Sequence, residues 1–115
     1  MIASPAADEC KPLQLRTFGE RGDDDALRRA VAAFESALEE YTRDRAPLAW
    51  AMTQNNLGAV LQVLGERGDD DALRRAVAAF EAALEVFVAA RADYYIEVCR
   101  NNRDGAQALL AKRKS

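Results

Sequence analysis

An all-α fold of stacked antiparallel helix hairpins is what this sequence predicts, and three observations predict it. Half of the 115 residues are hydrophobic, while only three are proline and six glycine; with abundant Ala, Leu, Arg and Glu, that balance favours helix over sheet. The stretch "GERGDDDALRRAVAAFE" stands at 19–35 and again, unchanged, at 65–81. Around it, 22 of 28 positions agree between 19–46 and 65–92, an offset of 46 residues. Self-similarity at such a period marks a stacked supersecondary unit.

The elements follow in chain order. Residues 1–10, "MIASPAADEC", have no apolar period and read as a flexible segment. Residues 11–18 align with the second half of the first helix of a unit, a truncated helix A. Over 23–44, Leu27, Ala30, Val31, Phe34, Ala37, Leu38 and Tyr41 recur at steps of three and four, the stripe of an amphipathic helix B. Over 47–65, Pro47 suits a first turn and Leu57, Val60, Leu61 and Leu64 keep the spacing of a helix A, with Gly65 or Gly68 as its stop. Over 69–91, Leu73, Val77, Phe80, Ala83, Leu84 and Phe87 repeat the helix B stripe. A divergent third helix A is expected over 93–113, where Arg103 and Asp104 replace Leu57 and Gly58 and suit a terminal cap. Asp104-Gly105 is also a turn signal, which leaves a break in this last helix as the alternative.

Charge and composition exclude several functions. With 16 basic against 19 acidic residues and a net charge of -3, the chain lacks the basic face of a nucleic-acid binder. The basic tail Lys112–Ser115 reads as a solubilising helix end. No signal peptide or membrane span is visible, so no membrane partner and a cytoplasmic location are expected. Histidine is absent, Cys10 and Cys99 lie far apart and read as reduced thiols, and no metal or cofactor is expected. Asp23–Asp25 and Asp69–Asp71 run straight into helices, which fits capping and the helix dipole better than a calcium loop. With no nucleophile beside a base and no phosphate loop, an enzyme is not expected.

Leu57-Gly58, Leu61, Gly65, Ala76, Phe80, Ala83 and Leu84, with Leu15, Gly19, Ala30, Phe34, Ala37 and Leu38 in the preceding unit, resemble the tetratricopeptide (TPR) pattern. The likeness covers Leu13 to about Ala92. The period is 46 where that family has about 34, Trp50 lies four residues before the usual tryptophan position, and Pro47 is late. "QNNLG" (54–58) is similar to the long-period repeats of kinesin light chain. The resemblance implies one TPR-like domain over 11–115, a short right-handed solenoid without cofactor.

It also implies a protein or peptide partner in a concave groove of helix A residues, with the chain acting as part of a larger assembly. Asn56 and Asn102 occupy the position that bonds a peptide backbone, with Asn55, Met52, Ala59, Gln62 and Val63 beside them. The alternative is that these asparagines are solvated or bond within the stack. Met52 and Ala59 stand where relatives carry carboxylate-clamping lysines, so such a clamp is not expected. Trp50, Tyr94 and Tyr95 fit packing between units or, alternatively, an aromatic binding surface.

Two hairpins and fragments fall short of the three units a stack ordinarily needs. A truncated first helix would leave Phe18, Leu27, Val31 and Phe34 for self-association, the second functional reading: a homo-oligomer formed by end-to-end stacking or helix exchange.

Overall fold

The computed structural model describes residues 24–114. They form four helices and no strand: α1 (Asp24–Glu40), α2 (Pro47–Glu66), α3 (Asp70–Ala89) and α4 (Asp93–Lys114). The expected flexible segment 1–10, the short helix 11–18 and Phe18 lie outside the described residues, as do Cys10 and Asp23.

Local chemistry sets the helix ends. α1 stops at Glu40, short of the expected 44, because Thr42 turns the chain: its Oγ1 accepts from the Arg45 amide at 3.2 Å and its carbonyl from the Ala46 amide at 2.9 Å. Val88, the counterpart of Thr42, offers no such oxygen, and α3 runs on to Ala89. The Asp69 carboxylate caps α3, accepting from the Ala72 amide at 3.0 Å, with Asp70 and Asp71 in the first turn.

Of the two candidate glycine stops, Gly68 ends α2. Its φ is +115°, its amide bonds the Gly65 carbonyl at 3.0 Å, and the Asp69 amide reaches back to Leu64 at 3.2 Å. This is a Schellman turn. The same pair of bonds closes α3, from Arg91 to Val88 and from Ala92 to Phe87, but there Arg91 holds the left-handed position at φ 56°.

Gly65 has a different task. A Cβ on it would lie 2.9 Å from Cβ of Leu73, and one on Gly58 would lie 2.7 Å from the Phe80 ring. These two contacts, seven residues apart on each helix, fix α2 and α3 antiparallel at close range. α2 is the central helix: it packs on α1, α3 and α4, and thirteen of its twenty residues are buried.

α4 runs antiparallel to α3 and beside α2. Its buried Cys99 and Ala106 join the core, and it continues through Asp104-Gly105 without a break. The Arg113 guanidinium bonds Asp70 at 2.9 Å. Arg67 bonds Asp24 at 2.6 Å in the same way, each position displaced by 46 residues.

Gly58→Ala should cost about 2 kcal/mol despite alanine's better helix propensity, because the methyl meets a fully buried ring. Gly105→Ala, whose methyl would meet only Gln62 at 3.5 Å, should instead stabilise by up to about 1 kcal/mol. Urea unfolding of both variants checks this; equal effects of one sign would contradict the packing described. Arg91→Gly should raise stability by about 1 kcal/mol in the same assay by relieving the left-handed backbone.

Candidate functional site

The helix A stripe expected to form a binding groove is for the most part interior. Met52, Asn55, Asn56, Ala59 and Val63 are buried, and only Gln62 and Asn102 are partly accessible. The reason is the central place of α2, which leaves little of its circumference uncovered. Asn102 Nδ2 donates to Asn55 Oδ1 at 3.3 Å, so this pair bonds within the helix stack, across the α2–α4 contact. An open groove along Met52, Asn55, Asn56, Ala59 and Val63 is therefore not the arrangement found.

The expected self-association surface is also altered. Leu27 is fully buried and Val31 nearly so, with Val31 beside Leu61 and Leu64 of α2. Phe34 alone of the described members keeps partial exposure. Packing on α2 removes Leu27 and Val31 from any outer surface.

An accessible groove does exist, between α3 and α4. Glu81, Leu84, Glu85, Val88 and Arg103 line about 580 Å³ of open space. Leu84 and Val88 supply an apolar floor, and Val88 is 52% exposed. Glu81 accepts from Gln107 Nε2 at 3.3 Å, Glu85 meets Arg43 at 3.1 Å, and Arg103 lies against Asp104 at 3.0 Å. The polar groups thus stand around an apolar strip.

The repeat supplies a reference for this groove. Moving its five residues back by 46 gives Glu35, Leu38 and Glu39 on α1, Thr42 in the turn after it, and Leu57 on α2. There α3 stands alongside: Arg75 bonds Glu35 at 2.5 Å, and Arg75, Ala78 and Ala82 border a cleft beside Leu57. No described helix follows α4 to do the same for Glu81 and Arg103. Sequence reasoning noted Arg103 in place of Leu57 but missed the groove; aligning Val88 with Thr42 was the remaining signal.

The aromatic residues divide. Tyr95 stacks on Phe87 with centroids 5.4 Å apart, and Arg43 lies 5.4 Å from the centroid of Trp50, so both rings serve packing. Tyr94 is 65% exposed and touches Tyr95 edge-on.

Among the described residues no cluster of His, Cys, Asp or Glu could hold a metal, and no helix is long and apolar enough to cross a membrane. Cys99 is buried and unbridged, its Sγ donating to the Phe80 carbonyl at 3.2 Å. Burial pushes its thiol up to about 11, against a smaller opposing pull from Arg103. Because the folded value exceeds the unfolded value near 9, the thiol's contribution to stability is whole below pH 9 and is lost as pH rises through about 11. In a Cys10→Ser chain, alkylation of Cys99 at pH 8 should follow global unfolding; rapid labelling of the folded protein would contradict its burial. No protein-family model, curated protein or solved structure matches this chain.

Proposed function

We propose that the chain is a protein-interaction module, a short right-handed solenoid of helix hairpins resembling the TPR family, that accepts a partner helix in the groove between α3 and α4. One observation carries this reading: one unit earlier the corresponding acid, Glu35, is met by a helix, α3, through Arg75. The partner is an amphipathic helix. It places a basic residue at Glu81, small or apolar residues over Leu84 and Val88, and an acidic or amide side chain at Arg103.

The groove differs from its reference at one point that shapes the partner. α3 sets Phe80 against Gly58, but the third unit has Asp104 there, whose side chain would occupy the space of the ring. A small residue is therefore required where α3 carries Phe80. Partner binding by helix in groove rests on such anchors at turn spacing, and the surrounding charges set register more than affinity.

A labelled peptide of residues 69–89 with Phe80→Ala serves as the probe, read by fluorescence anisotropy. Glu81→Lys in the protein should weaken capture about tenfold, as should Leu84→Glu, and Arg75→Glu in the peptide should recover the loss at Glu81→Lys. Equal affinity for the wild type and both protein variants would sink this reading.

A further inference from the structure

Among the described residues, three ion pairs join α1 and the turn after it to α3 and its cap, and their spacing carries a direction. Arg28 meets Asp69 at 3.8 Å, Glu35 meets Arg75 at 2.5 Å and Arg43 meets Glu85 at 3.1 Å. The two members of each pair stand 40 to 42 residues apart in the chain. So constant an offset means that α1 and α3 run parallel and in step, each of them packed on α2. On the α3 side the pattern begins with an acid at the cap, Asp69, followed six residues later by a base, Arg75.

Shifted by 46 residues, the positions of Arg28, Glu35 and Arg43 fall on Arg74, Glu81 and Ala89 of α3. Two of the three charges are thus presented again, towards the groove side. Arg74 is exposed, with a loose contact at 3.8 Å to Asp71 one turn before it. Glu81 holds the neutral Gln107. Between them, Val77 packs against the core but keeps partial exposure, whereas its counterpart Val31, beside Ala72 of α3, is only 8% exposed. The apolar strip of the groove therefore starts earlier than Leu84: Val77, Leu84 and Val88 follow one line at steps of seven and four.

Resting on the groove reading above, we infer that the occupant is a helix parallel to α3, with an acidic residue at its N-terminal cap opposite Arg74 and a basic residue six positions later opposite Glu81. A small side chain in its first turn covers Val77, as Ala72 does beside Val31. The helix dipole selects this direction. An acid at the start of a helix meets the positive end of its own dipole while it pairs with Arg74; in an antiparallel helix the acid opposite Arg74 would stand at the negative end. A helix parallel to α3 is also antiparallel to α4, the relation that α2 has to α3. Because Ala89 replaces Arg43, the third pair is missing and the partner needs no acid at its far end. From Arg74 to Val88 the contact runs about 21 Å, close to four helical turns, which sets the partner's least length.

Fluorescence anisotropy with the full chain and the 69–89 Phe80→Ala peptide tests the charge order, since Asp69 and Arg75 of that peptide supply the acid and the base. Arg74→Glu in the protein should weaken capture about fivefold. Asp69→Asn in the peptide keeps the cap but removes its charge, and should shrink the penalty of Arg74→Glu to about twofold. Direction is read by cross-linking: a benzophenone at the peptide's N-terminus should attach within residues 107–114 of α4, and one at its C-terminus within residues 88–95. The opposite pattern of attachment, or equal capture by wild type and Arg74→Glu, overturns this inference and leaves the groove standing if Glu81→Lys and Leu84→Glu still weaken binding. A peptide that is not captured, or that binds those two variants as it binds wild type, overturns the groove reading and this inference with it.

Discussion

The rest of the structure depends on the absence of a side chain at Gly58. Where any other residue would put a Cβ, the Phe80 ring lies 2.7 Å from that point. Full burial of such a ring contributes roughly 1.5 to 3 kcal/mol, but only if the two backbones can come this close. The contact then propagates. Phe80 held against α2 presents its carbonyl to the Cys99 thiol, and Cys99 seats α4 in the core. Gly65 under Leu73 does the same for the other end of the hairpin. A helix as closely packed as α2 has little surface left for ligands.

Much of the fold was legible because apolar spacing reports which side of a helix meets a neighbour. The stripes through Leu73, Phe80 and Phe87 and through Leu57, Leu61 and Leu64 correspond to buried residues, and Asp69 caps as its place before "DDALRR" suggested. What was not legible depends on neighbours instead of spacing. Asn55 and Asn56 have the same sequence character whether they line a groove or a helix contact, and only the arrival of Asn102 from α4 places Asn55 in the second class. Leu27 and Val31 looked uncovered because the helix expected over 11–18 is short, yet Val31 joins the core beside Leu61 and Leu64 of α2. The end of α1 turned on one hydroxyl, Thr42, in an otherwise helical pattern.

In both copies of the repeat, identical residues are completed differently by their surroundings. Glu35 receives Arg75, whereas its counterpart Glu81 receives only the neutral Gln107. Phe80 is enclosed, whereas its counterpart Phe34 is partly open. A duplicated element thus carries an internal control. Wherever one copy is satisfied and the other is not, the difference identifies the chemistry that the site leaves unmet.

The pairs Asp24–Arg67 and Asp70–Arg113 each join residues 43 positions apart and are related by the 46-residue repeat. Each acid at a helix start is met by an arginine at the end of the next helix, Arg67 just past α2 and Arg113 in the last turn of α4. A junction written this way refers only to its immediate successor. Whole units can be gained or lost through recombination in frame while every remaining junction keeps its partner, so the length of such a protein is free to evolve separately from its stability.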